Sequence, residues 1–221
     1  MAAVVSGREV MVTSDAVTMR GLLGIPKGAR GVVLFAHGSG SGRLSSRNNF
    51  VARALQDAGH ATLLIDLLSE EEERADAGTG HLRFDIPFLA KRLEAATTWL
   101  ADAAETRTLS VGYFGASTGA AAALVAAAEL RDQVDAVVSR GGRPDLAGEH
   151  LARVTAPTLL IVGSRDVPVI PLNEDAFAQL RCAKKLEIVP GASHLFEEPG
   201  TLEVVSRLAS SWFAKYLGKG D

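Results

Sequence analysis

Short apolar runs alternate with stretches of helical periodicity along almost the whole of this 221-residue chain, and no other feature restricts its fold as strongly. The runs at 31–36, 61–67, 108–114, 134–138, 158–162 and 185–189 have the composition of buried strands. Pro157 introduces one of them, which a strand start tolerates. Residues 48–58, 84–104, 118–130, 174–180 and 202–217 have helical patterns. In 84–104, Ile86, Leu89, Leu93, Ala96 and Leu100 recur at three- and four-residue intervals and line one face. Residues 9–13 and 17–25 are strand candidates that pair as a hairpin. Strands apolar on both faces, alternating with helices, predict an α/β fold: a mostly parallel sheet with helices on both faces. In such sheets ligands gather at the carboxyl ends of the strands. The residues that follow each strand therefore carry the functional information.

The length predicts a single domain, 1–221, that buries roughly 70% of its unfolded surface. Such a core needs neither a disulfide nor a metal staple. The one cysteine, Cys182, fits a reducing compartment. A charge of −3 lacks the basic excess of a nucleic-acid binder. The first ten residues have no basic start or apolar stretch of a secretory leader, and no window approaches a membrane span. The expectation is a soluble cytoplasmic protein acting on a small molecule, with no nucleic-acid or membrane partner.

The strand near Phe114 runs into Gly115-Ala-Ser-Thr-Gly119 and at once into a helix. Gly-x-Ser-x-Gly between strand and helix is the nucleophile-elbow pattern. The sharp turn exposes the Ser117 hydroxyl at a helix N-terminus, where negative charge is favoured. A serine needs a base. Of the five histidines, His194 follows the last apolar strand, so it stands on the same sheet edge as Ser117. An imidazole base needs an orienting carboxylate, and the strand at 158–162 ends in Gly163-Ser-Arg-Asp166. Ser117, Asp166 and His194 thus occur in the chain order associated with the elbow. The strand at 31–36 ends in His37-Gly-Ser-Gly-Ser-Gly42, whose turn is expected to leave amides unpaired. The N–H groups of Ser39 and Thr118 are the expected oxyanion donors. A phosphate loop there would need a Gly-Lys-Ser/Thr ending, which is missing.

These residues resemble the α/β-hydrolases, and more narrowly the compact dienelactone-hydrolase-like branch. The likeness rests on His37-Gly-Ser-Gly, Gly115-Ala-Ser-Thr-Gly119, Gly163-x-x-Asp166 and Gly191-Ala-Ser-His194, and covers about residues 17–216. It implies an eight-stranded, mostly parallel sheet with one antiparallel strand near its start. Dienelactone hydrolase itself carries a cysteine at the elbow; here Ser117 stands there, so its lactone substrate is not carried over. The expectation is a serine esterase that forms an acyl-enzyme and needs no cofactor or metal. A cofactor-free perhydrolase, a thioester or lactone hydrolase and a non-catalytic binding protein are the alternatives. No connection is long enough for a substantial cap domain, which predicts an open, shallow site for small or short-acyl substrates.

Other polar residues stand near these strand ends. His37, Arg43, His81, Arg140, Arg143 and Arg165 are candidates for substrate contact, the arginines as a carboxylate clamp. Against that, loop-structuring ion pairs are the commoner role of such arginines, and His37 can simply hold its loop. The acidic run 70–73 reads as a solvated loop.

Overall fold

The computed structural model describes residues 7–14 and 17–218. Residues 1–6, on which part of the leader expectation falls, and residues 15–16 and 219–221 lie outside them. Eight strands form one sheet: β1 (Arg8–Ser14), β2 (Val17–Gly24), β3 (Gly31–Ala36), β4 (Ala61–Ile65), β5 (Ser110–Ala116), β6 (Ala136–Arg140), β7 (Thr158–Gly163) and β8 (Lys184–Val189). Their order is β1-β2-β4-β3-β5-β6-β7-β8. β2 runs antiparallel to both its neighbours, and every pair from β4 onward is parallel. This is the α/β-hydrolase arrangement expected from the sequence, with no cap domain among the described residues.

Six helices complete it: α1 (Ser46–Asp57), α2 (Glu70–Asp76), α3 (Ile86–Asp102), α4 (Thr118–Leu130), α5 (Ile170–Gln179) and α6 (Thr201–Tyr216). The strand side chains alternate between two cores. One is shared with α3, α4 and α5; the other, which includes Val33, Phe35, Phe114, Val138 and Ile161, is shared with α1 and α6. In α3, Asp85 accepts the Phe88 N–H at 3.0 Å and Pro87 occupies the first turn. Its stripe of Ile86, Leu89, Leu93, Ala96 and Leu100 is buried as the spacing predicts. Each buried leucine contributes about 2 kcal/mol. In α4, residues 118–128 are buried all round. Its alanines let α3 and the segment 144–153 approach closely on two sides.

Several parts differ from the sequence reading. β5 begins two residues late, at Ser110, and β4 ends two early, at Ile65. Three further differences have a visible local cause. The acidic run is not a loop: Glu70–Glu73 form the first turn of α2, where four carboxylates meet the positive end of a helix. β6 lies two residues later than expected, because Val134 closes a short turn whose N–H bonds back to Arg131. α5 starts at Ile170 rather than 174, with Pro171 in its first turn, where a missing N–H costs nothing. No helix among the described residues is long and apolar enough to cross a membrane.

Candidate active site

β5 passes into α4 through Ser117, whose backbone stands at φ 51°, ψ −123°. A side-chain-bearing residue is strained there, so the surroundings must hold it. The Ser117 carbonyl accepts from the Ala120 and Arg143 N–H groups, both at 3.1 Å, and its own N–H donates to the Arg140 carbonyl at 3.4 Å. Space forces the two flanking glycines. A Cβ at Gly119 would strike the Ala36 and His37 carbonyl oxygens, and one at Gly115 would strike the Ala120 backbone. The elbow is therefore pressed against the end of β3, and Gly38 lies directly beside it: a Cβ there would sit 3.0 Å from Ser117 Cβ.

Asp166 lies in the turn after β7 and His194 in the loop after β8. Three backbone-mediated bonds fasten turn to loop. Ser164 N–H donates to the Val189 carbonyl and Arg165 N–H to the Ala192 carbonyl, each at 2.9 Å. Gly191 N–H donates to Ser164 Oγ at 2.8 Å. Only a glycine at 163 lets the loop cross so closely, since a Cβ would meet the Ala192 carbonyl. The result is a hydrogen bond of 2.7 Å between His194 Nδ1 and Asp166 Oδ2. Asp166 is buried, while the His194 side chain keeps 37% of its exposure. Glu198 steadies the loop by accepting the Ser193 N–H at 3.0 Å. Ser117 and His194 share no hydrogen bond here. They flank the same 140–141 peptide: Arg140 receives the Ser117 N–H, and Gly141 packs against the His194 carbonyl.

The Ser39 N–H, expected to be unpaired, donates to Thr118 Oγ1 at 3.1 Å. The correction has a simple cause. The elbow brings a threonine hydroxyl to the glycine turn, and a free amide next to an acceptor bonds to it. Thr118 N–H belongs to the first turn of α4, whose donors the helix itself cannot satisfy. A narrow cleft with little free volume opens at this point, lined by His37, Gly38, Ser39, Leu67, Leu68, Glu73, Arg83, Leu89 and Thr118. Part of that lining comes from α2 and the turn after it. That turn is tied down by Asp76, which accepts the Leu82 N–H at 2.6 Å, the Arg83 N–H at 3.3 Å and Arg83 Nε at 2.6 Å. Burial pushes the Asp76 carboxyl up, but these donors outweigh it and hold it below its ordinary value.

The remaining candidates divide. His37 is buried with both nitrogens engaged: Nδ1 lies 2.9 Å from the Gly38 carbonyl, and Nε2 accepts the Leu67 N–H at 2.9 Å. Burial pushes its pKa down, and the neutral imidazole ties the end of β3 to the end of β4 at the margin of the cleft it helps to line. Arg43 pairs with Asp66, and its N–H donates to Asp66 Oδ1 at 2.6 Å. The Arg143 fork grips Asp145 through Nε and Nη2, at 2.9 and 2.8 Å. Arg165 is 67% exposed, 3.8 Å from Glu198. His81 is exposed and does not line the cleft. Arg43, Arg143 and Arg165 thus face carboxylates of the chain, in the loop-structuring role weighed above as the commoner one rather than as a clamp. Arg140 is different. It is buried at the end of β6, beside Asn48, and burial with the nearby Arg47 charge pushes its pKa down to about 10. Cys182 stands away from the elbow, half-buried, with its thiol 3.7 Å from Thr158 Oγ1.

Residues 19–214 match the profile of the dienelactone hydrolase family. The chain belongs to that family. A crystal structure of a dienelactone hydrolase from Anabaena variabilis is 61% identical, covers 96% of this chain and 98% of its own, and superposes with a TM-score of 0.94. Est1E from Butyrivibrio proteoclasticus with ferulic acid bound (17% identity, TM-score 0.79, 94% and 98% covered) shares the fold. Two Mycobacterium tuberculosis proteins, each named "Putative phosphoribosyl transferase", are 58% identical over 209 residues, which is 95% of this chain and 46% of theirs. The chain spans about half the length of these curated relatives. Membership of the dienelactone hydrolase family supports a hydrolase.

Proposed function

We propose that this family member is a serine hydrolase of carboxylic esters with small or short acyl groups. The observation that carries the reading is the 2.7 Å bond between His194 Nδ1 and Asp166 Oδ2, set on the sheet edge where Ser117 is held strained at the head of α4. In this reading His194 Nε2 takes the Ser117 proton as Oγ attacks the ester carbonyl. Asp166 fixes the tautomer and stabilises the imidazolium. The tetrahedral oxyanion is held by the amides of Thr118 and Ser39, the latter released from Thr118 Oγ1. His194 then protonates the leaving alcohol, and water repeats the sequence on the acyl-enzyme. The narrow cleft beside the oxyanion donors favours short acyl chains. The reading covers the half of the mycobacterial relatives that this chain matches, and their transferase name is not extended to it.

The test is hydrolysis of p-nitrophenyl acetate by the protein and by Ser117→Ala. The variant should lose about 10³-fold or more in rate with an unchanged circular dichroism spectrum. An unchanged rate in Ser117→Ala would overturn the assignment.

A further inference from the structure

Glu73 and Arg83 bring opposite charges to the cleft beside Thr118, and only the arginine is matched. Arg83 Nε lies 2.6 Å from Asp76 Oδ2, so its charge is met. Glu73 forms no ion pair among the described residues, whereas Glu70 and Glu72 of the same turn do, with Arg20 at 2.7 Å and with Arg92. The Glu73 side chain stands where the cleft opens into a basin of about 480 Å³, whose lining includes Ser41, Arg43, Leu44, Arg47 and Asp66. Both arginines of the basin are matched as well, Arg43 by Asp66 and Arg47 by Glu197 at 3.0 Å. Among the described residues, Glu73 is therefore the charge without a partner that cleft and basin share.

The carboxylate is also felt inside the cleft. Its negative charge, with that of Asp66, opposes the fall in the pKa of His37, which is 6% exposed and lines the same cleft. Arg74, the next residue, lines the neighbouring groove with Met11 and Arg20 but neither the cleft nor the basin. An unmatched carboxylate at the mouth of a cleft walled by Leu67, Leu68 and Leu89 sorts what enters by charge: it attracts a cation and repels a second carboxylate. Because Glu73 is exposed, the effect is about fivefold, the upper end for a solvent-facing pair. We propose that Glu73 sets the charge preference of the site, favouring esters whose acyl group ends in a cationic amine and disfavouring those that end in a carboxylate. The proposal rests on the esterase reading and gives it a substrate class: cationic acyl groups, with the ester at Thr118 and the cation at the basin.

The test compares p-nitrophenyl 4-(trimethylammonio)butyrate with p-nitrophenyl 5,5-dimethylhexanoate, which has the same shape without the charge. The ratio of their kcat/KM values, cationic over neutral, should fall about fivefold from wild type to Glu73→Gln, and further in Glu73→Lys. In the wild type the ratio should also fall as sodium chloride rises from about 20 to about 500 mM, because salt screens an exposed pair. Glu71→Gln removes the same charge from the same helix, at a side chain that lines neither cleft nor basin, and should hold the ratio within about twofold. An unchanged ratio in Glu73→Gln or at high salt, or an equal fall in Glu71→Gln, would overturn the proposal. If the wild type hydrolyses neither ester, the esterase reading falls. The charge preference is then read by NMR titration of the full chain with the N-methyl amides of the same two acids. The dissociation constant of the cationic amide should rise about fivefold in Glu73→Gln, and equal constants would overturn the preference itself.

Discussion

Ser117 is held in a backbone conformation that costs a non-glycine residue about 1–3 kcal/mol. Ser117→Gly relieves that cost and Ser117→Ala does not. In urea unfolding, the glycine variant should therefore be about 1 kcal/mol more stable than the alanine variant, with both inactive. Equal stability of the two would mean that the elbow stores no strain. Asp166→Asn keeps the shape but not the charge beside His194. It should lower kcat by about 10⁴-fold in a p-nitrophenyl acetate assay without loss of folded protein. The candidate triad was legible in the sequence because each member follows an apolar run, and chain order then fixes which sheet edge it occupies. The arginines were not. Arg43 finds Asp66 and Arg140 finds Asn48 only after distant segments meet, and no local pattern records those partners. The engagement of Ser39 by the Thr118 hydroxyl is of the same kind.

At the scale of elements, α2 shows what a charge-based reading overlooks. Ser69 and Glu72 form a capping box: Ser69 Oγ accepts the Glu72 N–H at 3.2 Å, and Glu72 Oε2 accepts the Ser69 N–H at 2.8 Å. Ser-x-x-Glu is a visible start signal for a helix. It was masked by three further glutamates that read as a solvated run. Asp76 then turns the chain back under Arg83 and gives the cleft one wall. Ser69→Ala should cost this element about 1 kcal/mol, seen as faster amide exchange in 70–85 with little change in β5. Uniform change across the chain would contradict α2's being a locally stabilised unit. Core strands and long helices were legible because their periodicity is strong. The ends of α5 and β6 were not, since Pro171 and the 131–134 turn set them through backbone bonding rather than through apolar spacing.

Across the whole molecule, two buried imidazoles couple stability to pH. His37 and His60 are both inaccessible, and burial, with Arg30 adding its charge at His60, pushes both below their ordinary value. The unfolded chain takes up these protons first. Their contribution is therefore complete above about pH 6.5 and is lost as pH falls toward the folded-state values. Tm should be lower at pH 5.5 than at pH 7.5, and His60→Leu should reduce the difference. The same architecture, with short connections and no cap domain among the described residues, predicts that kcat/KM for p-nitrophenyl esters falls as the acyl chain lengthens from two carbons to eight. A rise with length would contradict a narrow cleft. The central claim is that Ser117 is the nucleophile. The most direct test is labelling with a fluorophosphonate, followed by peptide mass mapping. The account predicts one adduct, on Ser117, abolished in Ser117→Ala. An unlabelled Ser117, or an adduct that persists in that variant, would contradict it.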